Sequence, residues 1–208
     1  MKIGIMGGTF DPIHNGHLHL AQTALTQFDL DQIWFMPNGM PPHKKQSSIE
    51  SDIHERIAMT QIAIKANKQF YLQEYEAKRE KVSYSSKTME HFRKMYPDDE
   101  FYFIIGADSL FSIETWKHPE RLFKACIILA ACRDKAATKE SLNGQIQMLK
   151  GKYGAYIKFL AMPLEHVSSH EIRKLIESGE PVSEYIPAEV EAYIRKEGLY
   201  GSGNRKNQ

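Results

Sequence analysis

Residues 1–18 read MKIGIMGGTFDPIHNGHL. An apolar run, KIGIM, stops at Gly7 and Gly8. Thr9 and Phe10 follow, and His14, Gly16 and His17 come just before Leu18, Ala21, Leu25 and Phe28, which recur at helical spacing. A short strand that ends in glycines and feeds a helix opens a βα unit. Gly7 and Gly8 let backbone approach a ligand with no Cβ in the way. Thr9 adds a hydroxyl. His17 is expected to start the helix, where free N–H groups attract anions. His14, three residues earlier, shares that side if the intervening turn is helix-like.

The pattern repeats outward. QIWFMP reads as a strand closed by Pro37, Asn38 and Gly39, with Trp34 as a core residue. NGMPPHKKQSS reads as a loop carrying Lys44 and Lys45. A helix resumes after Ser51 and Asp52, with Ile53, Ile57 and Ile62 as its stripe. FYLQEY reads as a strand, and YSSKTMEHFRKMYP as a helix with Met89, Phe92 and Tyr96 on one face. FYFIIG, CIILAA and AYIKFLAM read as further strands, with a helix near residues 138–150 between the last two. SSHEIRKLIES and PAEVEAYIRKEG are the final helices.

Strands alternating with helices imply βαβ crossovers and a parallel sheet. The strands are continuous apolar runs, as in a sheet covered on both faces. The expectation is one α/β domain over residues 1–200, its last part, about 160–200, a small C-terminal helical subdomain, and a disordered tail at 201–208.

With 208 residues the chain can bury roughly 70% of its unfolded surface without staples. Its net charge of +1 gives no bulk attraction for nucleic acid or membrane, so a phosphate ligand has to be held by local chemistry. Cys126 and Cys132 flank an apolar run at a spacing that fits neither a disulfide framework nor a CxxC motif, and read as small buried residues. There is no signal-peptide pattern and no apolar stretch of about 18 residues, so the expected location is cytoplasmic.

Two common phosphate loops are missing: there is no GxxxxGK[ST], and Gly4, Gly7, Gly8 and Gly16 do not make GxGxxG. His14, His17 and His19 are close in sequence, but His19 points elsewhere on a helix and no carboxylate completes a zinc pattern, so no metal site is expected there. A second anion-binding candidate is VSSHEIRK, residues 167–174. Ser168 and Glu171 have capping-box spacing. Ser168 or Ser169 at the N-cap leaves N–H donors pointing outward, and Arg173, one turn on, can reach back to the same anion. Two helix N-termini, two histidines, Arg173 and the Lys44 loop make a plausible polyphosphate clamp; a set of capped helices with surface side chains is the plainer alternative.

GGTFDPIHNGH resembles the GxFDPxHxGH signature of the nucleotidyltransferase superfamily, and VSSHEIRK its distal ISSTxIR motif. MPPHKK, IIGADS with Trp116, and the ending YIRKEGLY are similar to the bacterial nicotinate-nucleotide adenylyltransferases, and the match runs in order from residue 1 to about 200. His170 departs from the pattern, standing where the family has Thr. The resemblance implies a Rossmann-like, doubly wound parallel sheet and transfer of the adenylyl group of ATP to nicotinate mononucleotide, with Mg²⁺ accompanying ATP. It implies His14, His17 and Arg173 as catalytic residues. ATP would meet Gly7, Gly8, Thr9, Phe10, His14, His17, Gly106, Asp108, Ser168, Ser169, Ile172 and Arg173. The mononucleotide would meet Lys44, Ser86, Thr88 and Trp116, with Trp116 stacked on the pyridinium ring. Another acceptor (nicotinamide mononucleotide, phosphopantetheine or FMN), a non-catalytic nucleotide sensor and a homodimer all stay open.

Overall fold

The alternation of apolar residues within each strand decides which layer each residue joins. In β1 (Lys2–Gly8), Ile3 and Ile5 face one side of the sheet and Met6 the other. β2 (Gln32–Pro37) does the same with Trp34 and Met36 against Ile33 and Phe35, and β4 (Glu100–Gly106) with Phe101, Phe103 and Ile105 against Tyr102 and Ile104. A strand with apolar groups on both faces needs helices on both faces.

The computed structural model describes residues 1–39, 49–79, 82–133, 136–162 and 168–202. β3 (Phe70–Leu72), β5 (Ile127–Arg133) and β6 (Ile157–Met162) complete a parallel six-stranded sheet in the order β3-β2-β1-β4-β5-β6. This is the doubly wound arrangement expected from the alternation of strands and helices. β1 is central, with Met6 opposite Phe35 on one side and Ile104 on the other. The chain winds outward from β1 through β2 to β3, then returns to β4 and winds the other way. The strand order therefore reverses between β1 and β4, and the crevice beyond their carboxyl ends is where such sheets bind ligands.

On one face lie α3 (Ser85–Met95), α4 (Ala107–Ser112), α5 (Pro119–Ala125) and α6 (Ala136–Tyr153), whose Met89, Phe92, Leu110, Leu122 and Ile146 share a core with Ile3, Ile5 and Phe103. The other face carries α1 (Asn15–Gln27), α2 (Ile53–Ile64), α7 (Ser169–Ser178) and α8 (Ala188–Glu197). The two C-terminal helices thus contribute Ile172, Ile176, Val190 and Ile194 to the same core as Ala21, Ala24 and Met59. Capping fixes their ends: Ser168 opens α7 and pairs reciprocally with Glu171, and Gly179 closes it at φ 79, a left-handed conformation that favours glycine.

Some boundaries differ from the sequence expectation. FYLQEY pairs only over Phe70–Leu72, because its alternation breaks at Gln73 and Glu74. Two short helices, α4 and α5, were not signalled: each is under ten residues, too short for a 3.6-residue period to stand out. Cys126 is buried, and burial pushes its thiol above the ordinary range, as expected of a packing residue. Lys44, Lys45, Val167 and the tail from 203 lie outside the described residues. Among the described residues no helix is long and apolar enough to cross a membrane.

Phe92 tests this packing. It is fully buried and meets the rings of Trp34, Tyr75 and Phe101, so it joins α3 to two strands. Phe92→Ala is expected to lower unfolding stability by about 3–5 kcal/mol in urea titrations. A loss below about 1 kcal/mol would contradict this placement of α3.

Candidate active site

At the end of β1 the chain turns back on itself. A Cβ at Gly8 would lie 2.6 Å from the Phe10 ring, so only glycine leaves room for it. Phe10 has φ 51 and is buried, its ring edge-on to His17 at 5.0 Å and tilted against Phe35 at 6.0 Å. The loop's strained, left-handed residue is thus held by aromatic contacts on both sides.

His17 does not start α1; His14 is its N-cap and His17 its third residue. The expected common face is present, with the two imidazoles stacked at 3.7 Å. The His14 backbone N–H donates to His17 Nδ1 at 3.2 Å, so a neutral His17 carries its proton on Nε2. His14 is only 8% exposed and lies behind His17.

Asp11 ties this loop to three distant segments. Its carboxylate is buried and accepts from the Ser51 and Glu50 backbone N–H groups at 3.2 and 2.9 Å and from the Tyr200 hydroxyl at 2.7 Å. The Ser51 hydroxyl in turn donates to Tyr200 at 2.6 Å. Burial, with Asp11 alongside, pushes the Tyr200 hydroxyl well above the ordinary tyrosine range, so it stays a donor. The buried Arg56 donates through one nitrogen to the carbonyls of Thr9 at 2.7 Å and Asn38 at 2.9 Å, clamping the β1 and β2 loops together. Burial lowers its pKa, and Asp11 opposes the shift.

The distal motif docks on the same loop. Ser169 donates to the Pro12 carbonyl at 2.9 Å. Arg173 donates to the Asp11 carbonyl at 2.8 Å and to the Glu50 carboxylate at 2.7 Å. The two ends of the chain therefore meet, as the clamp expectation requires. Ser168 is committed to its own cap, its hydroxyl 2.7 Å from Glu171. Ile172 is fully buried in the core, and its backbone N–H donates to the Ser168 carbonyl at 3.0 Å. His170 is exposed on the first turn of α7.

A cavity of about 390 Å³ opens at the β1/β4 switch point. Gly7, His17, Gly106, Ser86 and Trp116 line it, all of them expected site residues. Trp116 stands edge-on to Phe103 at 6.4 Å. The Ser86 hydroxyl donates to the Lys117 carbonyl at 2.8 Å, tying the start of α3 to the turn that carries Trp116. No side chain caps α3 at Tyr84; the Lys87 amide N–H donates to the Tyr84 carbonyl at 2.9 Å, and Ser85 and Ser86, the first two residues of the helix, line the cavity. Asp108 stands apart, exposed on the first turn of α4, whose N-cap is Gly106.

Thr88 enters differently from expectation. It is buried one turn into α3 and is not part of the cavity wall; its hydroxyl donates to Glu76 at 2.6 Å. Glu76 does line the wall, with Asn38 and Ser83. None of these three was legible beforehand. Glu76 sits in the charged run EYEAKRE, which reads as a solvated surface, yet it is only 6% exposed. Desolvation pushes its carboxyl above the usual range, while the Thr88 hydroxyl and Arg79 oppose the shift.

The cytidylyltransferase-like family model matches residues 5–175. A protein of Clostridium kluyveri named "Probable nicotinate-nucleotide adenylyltransferase" is 39% identical over 96% of this chain and 99% of its own length. Relatives of the same name in Clostridium tetani and Carboxydothermus hydrogenoformans are 41% and 43% identical, each over 96% of this chain and 98% of theirs. A solved Plasmodium falciparum nicotinic acid mononucleotide adenylyltransferase, complexed with NaAD, superposes with a TM-score of 0.77 at 21% identity over 97% of this chain and 98% of its own, a likeness of fold.

The buried Glu76 makes stability depend on pH. The unfolded chain releases this proton at the ordinary carboxyl pKa, whereas the folded chain holds it to higher pH. Its stabilising effect is therefore complete below the ordinary pKa and is lost as pH rises through the folded value. Glu76→Gln, which stays neutral, should gain stability relative to the parent in urea titrations as pH rises above the ordinary carboxyl pKa of about 4. A pH-independent difference would contradict the shift.

Proposed function

This chain belongs to the cytidylyltransferase-like family and, within it, to the nicotinate-nucleotide adenylyltransferases, and we propose that it transfers the adenylyl group of ATP to nicotinate mononucleotide in NAD biosynthesis. One oxygen of the mononucleotide's phosphate attacks the α-phosphorus of ATP. The bond from that phosphorus to the bridging oxygen breaks, and pyrophosphate leaves. The observation that carries this reading is that the distal motif docks on the loop of the first motif, whose Gly7 and His17 line the same cavity as Trp116.

The attacking phosphate is already ionised near neutral pH, so no general base is required. Catalysis then rests on positioning and charge stabilisation. His17, its Nδ1 held by the His14 backbone, presents Nε2–H to the α-phosphate. The α1 and α7 N-termini and Arg173 receive the remaining phosphates. Arg173 reaches them by exchanging the exposed Glu50 carboxylate for phosphate, while its bond to the buried Asp11 carbonyl fixes the guanidinium. Lys44 adds charge from the β2–α2 connection.

Mg²⁺ fits here as part of the ATP complex, since the Asp11 carboxylate is taken up by Ser51, Glu50 and Tyr200. Phosphate oxygens and water would hold it, and it would neutralise charge on the leaving group. Trp116 stacks on the pyridinium ring. The uncapped first turn of α3 gives N–H donors to the nicotinate carboxylate. The reading treats residues 1–200 as one domain working in the cytoplasm.

His17→Ala is expected to reduce kcat by about 10²–10³, as for loss of one preorganised donor, with the thermal transition preserved. Pyrophosphate release measures this, and parental kcat would overturn the phosphate role. A side-by-side assay should give nicotinate mononucleotide at least about a tenfold advantage in kcat/KM over nicotinamide mononucleotide, because the neutral amide leaves an N–H donor pair mismatched. Equal or better use of the amide would overturn the acceptor assignment.

A further inference from the structure

We propose that Glu76 is an acceptor-binding residue whose carboxyl takes a hydrogen bond from a ribose hydroxyl of the mononucleotide, and that Thr88 is the positioning residue that aims it. The inference rests on the acceptor assignment made above and goes beyond it, to a contact with another residue that lines the same cavity as Trp116.

Glu76 is buried yet forms part of the cavity wall. One of its oxygens accepts from Thr88 at 2.6 Å, which leaves the other without a partner among the described residues. Its backbone is fixed as well: the Arg79 N–H donates to the Glu76 carbonyl at 3.2 Å, and a Cβ at Gly39 would lie 2.7 Å from that same oxygen. Glu76 therefore joins the end of the β2 loop to the first turns of α3. The same wall carries the Asn38 side-chain carbonyl and the Ser83 hydroxyl, both buried and without a partner among the described residues. Unsatisfied polar groups gathered on one wall of a cavity point to a ligand that completes them.

The chemistry of that ligand follows from polarity. Glu76 and the Asn38 carbonyl are acceptors, so they call for a donor. A nicotinate mononucleotide offers few. Its phosphate and carboxylate are acceptors at neutral pH, and its N-alkylated ring has no N–H. The ribose hydroxyls are its donors, and a buried carboxyl is a strong acceptor for one of them.

The test is steady-state kinetics on the full chain with nicotinate mononucleotide and its 2′-deoxy and 3′-deoxy forms, for the parent, Glu76→Ala, Glu76→Gln, Thr88→Val and Thr88→Ser. Loss of such a bond should raise the acceptor KM about tenfold in Glu76→Ala, with kcat and the ATP KM within about twofold of the parent. One deoxy acceptor should show a similar rise with the parent and no further rise with Glu76→Ala. Glu76→Gln, which keeps a carbonyl acceptor, and Thr88→Ser should recover most of the loss seen in Glu76→Ala and Thr88→Val. Equal use of all three acceptors by the parent overturns the contact without touching the parent reading, and needs no variant to fold. Additive losses also overturn it. So does a Glu76→Ala defect confined to nicotinate and absent with nicotinamide mononucleotide, which would make Glu76 a reader of the ring substituent. No turnover by the parent with any mononucleotide overturns the acceptor assignment and this contact together.

Discussion

The buried carboxylate of Asp11 is the constraint on which the site depends. A charge out of water is tolerated only with its donors in place. Those donors are the Glu50 and Ser51 amides and the hydroxyl of Tyr200, which is 189 residues away. The Asp11 carbonyl adds Arg173, 162 residues away. The β1–α1 loop, the approach to α2, the distal helix α7 and the C-terminal turn can each be correctly placed only if the others are. The phosphate side of the crevice is thereby assembled cooperatively, from segments with no local reason to meet.

The acceptor side is built by other means. α3 approaches the crevice because Met89 and Phe92 bury against β1, β2 and β4, and the Ser86–Lys117 bond draws the Trp116 turn onto its N-terminus. Arg56 then bridges the halves by holding the Thr9 and Asn38 carbonyls through one nitrogen. A guanidinium is well suited to this, since its planar fork presents fixed donors and it keeps its charge even when burial lowers its pKa. One nitrogen of this buried cation is thus committed to two loop carbonyls.

What the sequence made legible follows periodicity and local chemistry. The parallel sheet could be read from apolar runs alternating with helical stripes. Gly7, His17 and Trp116 could be singled out because their motifs are contiguous, and the structure brings them to one cavity. The Asp11–Tyr200 bond, the Arg56 clamp and the Glu76–Thr88 pair were not legible, because each joins residues whose neighbours in sequence carry no matching signal. Glu76 is the sharpest case: its flanks Glu74 and Lys78 form an exposed i,i+4 ion pair, the ordinary sign of a solvated face, while Glu76 itself turns inward. Thr88, expected to meet the mononucleotide, lies one turn behind the residues that face the cavity and spends its hydroxyl on Glu76.

The polarity of the two halves then accounts for how one cleft handles a substrate pair that is almost entirely anionic. In the proposed reading, phosphates and a carboxylate sit against the α3 and α7 N-termini, His17 and Arg173. A buried carboxyl among them would repel those anions and is kept away from them by Thr88, which fixes Glu76 on the wall shared with Asn38 and Ser83. Burial disfavours the ionised form of Glu76, and the Thr88 hydroxyl and Arg79 oppose that shift. A surface carboxylate at the same place would stay ionised and screen the field of the donors. In the proposed reading, burying this one reconciles an acceptor for ribose with a cleft that holds phosphates, at a cost in folding stability that the two cores beneath it must offset.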